Sequence, residues 1–421
     1  MNLPKAFLLC MSLLPLLVVG QQQVNYEESQ VPAYELPELL KSNQGKEIKS
    51  KQAWENIRRP ELLETFSDQM YGRTPVEEIP VTYEVLAENK QALGGKATMR
   101  QVQLSFSKNG KKINALLLLM LPNHLKKDIP MFVGYNFKGN HSTIADSSIL
   151  YSDNFKLVRE PDHLDWTRGV QSHRWDYEQI IGRGYGVATM CYHDVFPDKE
   201  GFQDYSVAAL FSDYASRQGQ GDNWEAIGVW AWGSSRIADY LETLKEVDQD
   251  RIAIMGHSRQ GKAALWAGAQ DTRFAVVISN DSGSGGAALS KREYGETIAV
   301  VSRIKPSWFA KNLDAFHGRE RDLSFDQHML IALMAPRAVY VASALEDRWA
   351  DPKGEYLSAY YASPVYELYK KKGLDSEVPP GLHEPIYQDI GYHIRAGKHD
   401  VTSYDWFCFL NFADLHFKDK K

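Results

Sequence analysis

The chain has 421 residues, a formal net charge of −6 at pH 7 and an isoelectric point near 6.1. The mild acidity is spread along the chain, which argues against a nucleic-acid partner. Three cysteines are too few for a disulfide framework, although Cys191 and Cys408 could form one bond. The stability must therefore come from a hydrophobic core, which a chain of this length can supply.

The first 20 residues have the composition of a secretory signal peptide. Lys5 supplies the positive charge, and Ala6–Val19 is apolar but too short and too interrupted by proline for a membrane span. The small residue Gly20 fits cleavage before Gln21. We therefore predict a signal peptide over residues 1–20, a secreted or periplasmic location, and no membrane attachment after cleavage.

The mature chain is predicted to begin with a polar arm, 21–51, and to continue as one catalytic domain, 52–421. The predicted helices are Gln52–Tyr71, Trp224–Leu244, one that begins at Gly261, Glu355–Lys371 and Tyr404–Phe417. The predicted strands are Val81–Val85, Thr98–Phe106, Ile113–Leu121, Met131–Phe137, Ile180–Tyr192, Ile252–Met255, Phe274–Ser279 and Ala338–Ala344. This alternation indicates an α/β fold, with one doubly wound, mostly parallel sheet between two layers of helices in a three-layer sandwich. The long loop Asp194–Asn223 has the mixed composition of loops that wall a substrate site.

A serine lies at a sharp turn between a predicted strand and a predicted helix. The apolar run Ile252–Met255 ends at Gly256, Ser258 follows two residues later, and a helical pattern begins at Gly261. This order is the nucleophile elbow of α/β-hydrolases, in which the hydroxyl stands above the sheet at a helix N-terminus. The usual pattern is G-x-S-x-G, and here the second glycine comes one residue late. We predict that Ser258 is the nucleophile of an α/β-hydrolase fold, with an ordinary turn as the alternative.

A nucleophilic serine needs a histidine to accept its proton and a carboxylate to orient that histidine. His399 is the best candidate, because it lies in a polar loop just before the last predicted helix. His328 and His393 are predicted to lie in a helix and a strand instead. The loop Lys138–His141 follows a buried strand, in the position that supplies an oxyanion N–H in this fold.

Two carboxylates compete for the third position. Asp347 follows Ala338–Ala344, the usual place of the acid in this fold, and Asp281 follows the preceding strand. Either could reach one imidazole, and so could both. Glu346 adjoins Asp347 and could point inward in its place. A helix cap or a turn would explain these carboxylates if they had no catalytic role.

The run Gly256–Lys262, GHSRQGK, resembles the G-C/H-S-R-x-G-K signature of the glucuronoyl esterases, carbohydrate esterase family 15. The signature is specific, because few serine hydrolases carry Arg and then Lys at these offsets. Further similar segments are Ser282–Ala287, Glu346–Pro352, Gly391–Arg395 and Gly397–Asp400. The resemblance runs from about Trp54 to the C-terminus and is strongest to the bacterial members.

The resemblance implies a role for each matching residue of the triad. Ser258 would be the nucleophile and His399 the base, and the acid would stand at Asp281 or at Asp347. Many members have Glu at the position of Asp281, and because aspartate is one methylene shorter, Asp347 is favoured here. His257 stands where the fungal members have a disulfide cysteine, so that clamp on the histidine loop is absent.

The resemblance also assigns roles to the side chains around the triad. Arg259 would help to form the oxyanion hole, where one such donor is typically worth about 3–4 kcal/mol. Lys262 and Glu296 would hold sugar hydroxyls, and Trp308 and Trp349 would lie beside the sugar ring. The structural alternatives are charged residues at a helix start, a helix cap and a core tryptophan.

We therefore expect a secreted serine esterase that hydrolyses the ester between glucuronic acid of glucuronoxylan, often 4-O-methylated, and the alcohols of lignin, through a Ser-His-Asp triad and an acyl-enzyme. It would be a carboxylic ester hydrolase of the 4-O-methyl-glucuronoyl methylesterase type and a monomer, with no cofactor. No metal is expected, since the histidines lack H-E-x-x-H or similar spacing. Two alternatives are another carbohydrate or small-ester esterase, such as an acetyl esterase, and a non-catalytic glycan-binding protein on a hydrolase scaffold.

Overall fold

The computed structural model describes residues 24–161, 163–217 and 219–417, and in these residues ten strands form a single sheet. The predicted signal peptide, residues 1–20, lies outside the described residues. The strands, in chain order, are β1 (Val81–Gln91), β2 (Ala97–Lys108), β3 (Lys111–Pro122), β4 (Ile129–Asn136), β5 (Gly186–Cys191), β6 (Val247–His257), β7 (Phe274–Asn280), β8 (Ala338–Ala344), β9 (Ile386–Tyr387) and β10 (Ile390–Arg395).

The middle of the sheet is parallel and its edges are antiparallel. The strand order is β1-β2-β3-β5-β4-β6-β7-β8-β10-β9. Strands β5, β4, β6, β7, β8 and β10 run parallel to one another. Strands β1, β2 and β3 at one edge and β9 at the other pair antiparallel with their neighbours. The prediction of a doubly wound, mostly parallel sheet is confirmed.

Helices cover both faces of the sheet. They are α1 (Lys51–Ala53), α2 (Arg59–Phe66), α3 (Ala92–Gly95), α4 (Asp153–Val158), α5 (Tyr177–Gly182), α6 (Ser212–Ser216), α7 (Ala226–Glu242), α8 (Arg259–Gln270), α9 (Ile298–Ile304), α10 (Gln327–Ala332), α11 (Pro352–Leu368) and α12 (Ser403–Phe417). The π-helical turn Trp54–Arg58 joins α1 to α2, and a second one, Ser67–Tyr71, continues α2, so that one helical run forms as the sequence predicts. Helices α5 and α12 pack on one face of the sheet, and α2, α7, α8, α10 and α11 pack on the other.

One strand is shorter than its prediction. The sequence predicts a strand over Ile180–Tyr192, but Ile180 and Ile181 lie in α5, and the strand begins only at the start of β5. Asp176 caps α5 by accepting a backbone N–H bond at 3.1 Å, and Gly184, with φ +85°, turns the chain from the helix into the strand. Both isoleucines are buried, so their apolar character fits either element and could not separate them.

The N-terminal segment that the structure describes lies against the domain. Leu39 and Ile48 are buried in the larger core cluster, and Glu28 pairs with the buried Arg292 at 2.8 Å. Cys191 and Cys408 are both buried free thiols, so the disulfide that the composition allows is not formed. Among the described residues, no helix is both long enough and apolar enough to cross a membrane.

The carboxyl ends of the parallel strands bring four loops together at one edge of the sheet. Ser258 directly follows β6, and Asp281 directly follows β7. Asp347 and His399 lie in the loops after β8 and β10. Because β6, β7, β8 and β10 are successive neighbours in the sheet, these four loops lie side by side. The candidate residues, far apart in the sequence, therefore meet at this edge.

The stability of the sheet should depend on the buried apolar side chains of strands that have a neighbour on each side. Leu119 lies fully buried in β3 between β2 and β5. We expect Leu119→Ala to lower the free energy of unfolding by about 2–5 kcal/mol, because the cavity cannot collapse between packed neighbours. The control is Val85→Ala on the edge strand β1, where Val85 is exposed, and it should change the value by less than about 0.5 kcal/mol. Urea denaturation measures both, and equal losses would contradict this account of the core.

Candidate active site

Ser258 occupies a strained turn between β6 and α8. Its backbone has φ +57° and ψ −131°, a region that a residue other than glycine rarely adopts. The Ser258 N–H donates to the carbonyl of Asn280 at 2.9 Å, which ties the turn to the neighbouring strand β7. The serine is half-buried at the N-terminus of α8, where free backbone N–H groups can stabilise a negative charge. This is the geometry expected of a nucleophile elbow.

The two glycines of the elbow are required by close packing. A Cβ atom at Gly256 would lie 1.9 Å from the carbonyl oxygen of Gln260. A Cβ atom at Gly261 would lie 2.8 Å from the Cβ atom of Ser282, in the loop after β7. The second glycine therefore stands where α8 crosses that loop, which explains its position one residue later than in the usual pattern.

The imidazole of His399 is hydrogen-bonded to Asp347. Nδ1 of His399 lies 2.5 Å from Oδ2 of Asp347, and with the proton on Nδ1 the other ring nitrogen, Nε2, has a free lone pair that can accept a proton. The side chain of Asp347 is 5% exposed and that of His399 is 38% exposed, so the acid lies behind an accessible imidazole. Glu346 is exposed, so it is not the residue that points inward.

Asp281 lies beside this pair but makes a weaker set of contacts. The ionisable atoms of Asp281, Asp347 and His399 all lie within 4.8 Å of one another, so this trio could also hold a cation. Oδ2 of Asp281 is 3.4 Å from the guanidinium of Arg395, and its Oδ1 has no hydrogen-bond partner among the described residues. Burial, followed by the charges of Glu355 and Asp347, raises the pKa of Asp281 well above its usual range. The carboxylate that contacts the imidazole is therefore Asp347.

A cavity of about 390 Å³ opens above these groups. All nine residues that the sequence singles out line it, namely Ser258, Arg259, Lys262, Asp281, Glu296, Trp308, Asp347, Trp349 and His399. Four further lining residues were not predicted, namely Val301, Ile304, Lys305 and Ala350. Three of these four come from α9 and the residue after it, a segment with no recognisable motif. Residues 138–141 do not line the cavity; His141 is buried and its Nε2 lies 2.7 Å from the carbonyl of Asp165.

Arg259 is held by a buried carboxylate that the sequence did not predict. Asp198 lies in the long loop before α7, forms a short ion pair with Arg259, and lies 3.2 Å from the ammonium of Lys305. It also accepts a hydrogen bond from the indole N–H of Trp308 at 3.0 Å. Burial alone would raise the pKa of Asp198, but Arg259 and Lys305 hold it below its usual range. The guanidinium lies over the Trp308 ring, 4.6 Å from its centroid.

Lys262 is fully occupied by protein acceptors. Its buried ammonium donates to the carbonyls of Ser282 and Ser284 at 2.5 and 2.6 Å, and to Glu296 at 2.7 Å. These three bonds use all three N–H donors of the lysine. The other oxygen of Glu296 accepts the indole N–H of Trp349 at 2.9 Å. A sugar hydroxyl could bond Lys262 only by replacing one of these acceptors, whereas Glu296 keeps spare lone pairs.

His257, the residue before the serine, packs against the candidate base. The ring centroids of His257 and His399 are 4.4 Å apart. Nδ1 of His257 lies 2.6 Å from the side-chain oxygen of Asn280. Burial, and then the neighbouring charge of His399, lowers the pKa of His257 well below its usual value, so the ring stays neutral. The neutral ring of His257 therefore packs against the imidazole of His399 without placing a charge beside it.

Comparison with known proteins shows similarity along nearly the whole chain. A glucuronoyl esterase from Solibacter usitatus is 43% identical, with 92% of this chain and 100% of that chain covered and a TM-score of 0.87. Carbohydrate esterase MZ0003, from an unknown prokaryotic organism, is 40% identical over 398 residues, which are 93% of this chain and 92% of that protein.

Fungal proteins match a smaller part of the chain. A family model described as glucuronyl esterase, fungi, matches residues 186–369. The 4-O-methyl-glucuronoyl methylesterase 1 of Wolfiporia cocos is 33% identical over 211 residues, which are 48% of this chain and 51% of that protein. Residues 186–369, which the family model matches, contain Ser258 and both candidate acids, but this range ends before His399.

Glu355, in α11, binds the loop after β7 that carries Asp281. Its Oε1 accepts the backbone N–H groups of Ser282 and Gly283 at 2.7 and 3.0 Å, and its Oε2 lies 2.6 Å from the hydroxyl of Ser343. Burial raises its pKa to about 8, with a further contribution from the charge of Asp347. The carboxyl is therefore protonated in the folded protein at neutral pH.

This raised pKa should make stability fall with increasing pH. Glu355 ionises near pH 4.5 in the unfolded chain and near pH 8 in the folded protein, so stability is lost as pH rises through that window. Glu355→Gln keeps the donor and acceptor atoms without the charge. Its melting temperature should equal that of the wild type near pH 5 and exceed it by a few degrees near pH 8.5. Glu367→Gln, at an exposed position of the same helix, should follow the wild type throughout. Parallel curves for all three proteins would contradict the assignment.

Proposed function

This chain belongs to the glucuronoyl esterases of carbohydrate esterase family 15 and is a carboxylic ester hydrolase, and on this premise we propose that it hydrolyses the ester between glucuronic acid of glucuronoxylan, often 4-O-methylated, and lignin alcohols. One observation carries the proposal. The elbow at Ser258, the Asp347–His399 pair and the Lys262–Glu296 pair all face one cavity. The cavity thus combines the groups for acyl transfer with polar groups for a sugar.

The reaction would proceed through an acyl-enzyme. Oγ of Ser258 attacks the ester carbonyl while Nε2 of His399 takes its proton, and Asp347 stabilises the imidazolium through the Nδ1–H bond. The tetrahedral intermediate collapses, and the alcohol leaves with the proton from His399. Water then attacks the acyl-serine and gives a proton to His399, and the uronic acid is released as Ser258 regains its proton.

The oxyanion would be stabilised at the N-terminus of α8. The backbone N–H of Arg259, the residue after the nucleophile, points into this region in nucleophile elbows. The Arg259 side chain adds a fixed charge, and its Nε–H has no hydrogen-bond partner among the described residues. Asp198 and the Trp308 ring hold the guanidinium in place, so the donor needs little reorganisation when charge develops.

The sugar would be bound chiefly by Glu296 and Trp349. Glu296 can accept a ring hydroxyl while Lys262 neutralises its charge and fixes its orientation. The half-buried Trp349 lies beside it, in reach of an apolar sugar face. Trp308 is 5% exposed and its face is covered by Arg259, which favours support of the guanidinium over stacking on the sugar.

We further propose that the mature enzyme is secreted or periplasmic, that residues 52–421 form its catalytic domain, and that it is a monomer.

The substrate preference has one specific alternative. A structure 40% identical to this chain is described as a promiscuous esterase of the same family from a marine bacterial metagenome. A broader small-ester activity, acetyl esters included, is therefore the second candidate function.

Ser258→Ala tests the mechanism and the substrate together. We expect kcat on benzyl glucuronate to fall by about 10⁴-fold or more, because covalent catalysis is lost, with an unchanged melting temperature. The control Ser302→Ala removes a buried hydroxyl from α9 and should keep full activity. Wild-type kcat/KM should be higher on benzyl glucuronate than on acetylated xylan. Substantial activity of Ser258→Ala would refute the mechanism, and the reverse substrate ranking would favour the acetyl esterase.

Asparagine variants test which acid orients the histidine. Asp347→Asn should lower kcat/KM by about 10⁴-fold, because asparagine supports the wrong imidazole tautomer. Asp281→Asn should lose much less, since Asp281 does not contact the ring. The double variant completes a cycle that measures the coupling between the two carboxylates. A larger loss in Asp281→Asn than in Asp347→Asn would contradict the assignment.

A further inference from the structure

The loop that carries His399 is wound around the side chain of Arg395. Arg395 is the last residue of β10, and its side chain is only 3% exposed. Its Nη1 donates to the carbonyls of Ala396 and Lys398 at 3.0 and 3.1 Å. Its Nη2 donates to the carbonyl of Asp400 at 2.5 Å. The guanidinium therefore binds the residues on both sides of His399.

The opposite side of the guanidinium is fixed to α12. Nε of Arg395 donates to the two oxygens of Asp405 at 3.0 and 2.8 Å. Asp405 also accepts the backbone N–H of Thr402 at 2.7 Å, at the start of α12, and lies 2.9 Å from Nε2 of His393. Both residues are buried. The ion pair with Asp405 fixes the position of the guanidinium. Because the guanidinium also binds carbonyls of the 396–400 loop, its position determines the course of that loop.

Gly397 turns the loop beside Arg395 through a backbone conformation that favours glycine. Its φ is +97°, and a Cβ atom there would lie 3.4 Å from Nη1 of Arg395. Its carbonyl accepts the N–H of Glu346 at 3.0 Å. That bond joins the histidine loop to the loop of Asp347, one residue before the acid. The path around Arg395 thus also aligns the two loops whose side chains meet.

We propose that Arg395 is a positioning residue for the histidine base, which it holds at hydrogen-bonding distance from Asp347 through the carbonyls of the 396–400 loop. The inference rests on the proposed roles of His399 and Asp347. Arg395 does not line the cavity, and its one contact with a lining carboxylate is with Asp281 at 3.4 Å, so its main contacts are with the loop of the base. Arginine suits this role because its planar fork presents five fixed donors and stays charged, whereas lysine has three donors and no fork.

The structure supplies a matched control for Arg395. Arg337 is another arginine that clamps three backbone carbonyls, those of Gly268, Asp271 and Phe274, at 2.6, 3.2 and 2.8 Å. It precedes β8, and so lies at the end of the sheet away from the cavity. A lysine substitution at either position removes hydrogen bonds to three backbone carbonyls, and Arg395→Lys also alters the ion pair with Asp405.

The test compares Arg395→Lys with Arg337→Lys. Both should lower the melting temperature, and each is assayed at the same interval below its own melting temperature. We expect Arg395→Lys to lower kcat on benzyl glucuronate by about 10²-fold, the cost of displacing a catalytic group by about 1 Å, with KM changed by less than about threefold. Arg337→Lys should keep the wild-type kcat. Equal effects on kcat, or a rise in KM that accounts for the loss, would overturn the proposal.

A glycine pair tests the same geometry without removing a charge, in case Arg395→Lys does not fold. Gly397→Ala strains the backbone of the histidine loop itself, with the added methyl group in van der Waals contact with the guanidinium at 3.4 Å, whereas Gly110→Ala, at φ +78° in the distant β2–β3 hairpin, meets no atom within 4 Å. Both carry the strain of a positive φ. Only Gly397→Ala should lower kcat at unchanged KM; equal kcat values would overturn the proposal.

These outcomes are separate from failure of the proposed function. If Ser258→Ala keeps its activity, the mechanism itself is wrong. If Ser258→Ala is inactive and the Arg395 and Gly397 variants behave as their controls do, only the positioning role is wrong. 4-nitrophenyl acetate, assayed in parallel, reports the triad without a sugar, and the Arg395 effect should appear equally on that ester.

Discussion

The hydrogen bond between His399 and Asp347 is the constraint on which the site depends. It joins the loop after β8 to the loop after β10, and it forms because Ala344 and Arg395, the last residues of those strands, are paired in register. A slip of one residue would turn every side chain of the strand to the other face of the sheet. The regular parallel pairing of β8 with β10 therefore fixes the distance between the side chains of Asp347 and His399.

The charges around that bond are paired within the protein before any substrate arrives. Lys262 is bound by Glu296 and two carbonyls, and Arg259 is bound by the buried Asp198. Buried charges are tolerated only when they are paired in this way. In the proposed mechanism, the pairing with Asp198 keeps the Arg259 donors oriented, so that they can stabilise a developing charge without reorganising. For Arg259, stability and the proposed role therefore place the same demand on the side chain.

The fungal and the bacterial relatives match different parts of the chain that forms the site. The fungal family model spans 186–369, from β5 into α11, and includes the elbow and both carboxylates. His399 lies beyond it, whereas the similarity to the Solibacter usitatus protein covers 92% of this chain. His257, the residue before Ser258, has a neutral ring that packs on His399. The histidine loop is held by packing and by hydrogen bonds to Arg395, and Cys191 and Cys408 are not linked.

The sequence by itself determined the fold class, the elbow at Ser258 and the candidate base, because strand, turn and helix signals act between neighbours in the chain. Only the tertiary structure decided that Asp347, and not Asp281, is hydrogen-bonded to the imidazole. That choice depends on the register of separate strands and on the direction in which each side chain points. The same holds for Asp198, which lies in a loop without a motif, and for the occupied donors of Lys262. Burial and distance between remote loops are properties of the packed sheet, and no local pattern encodes them.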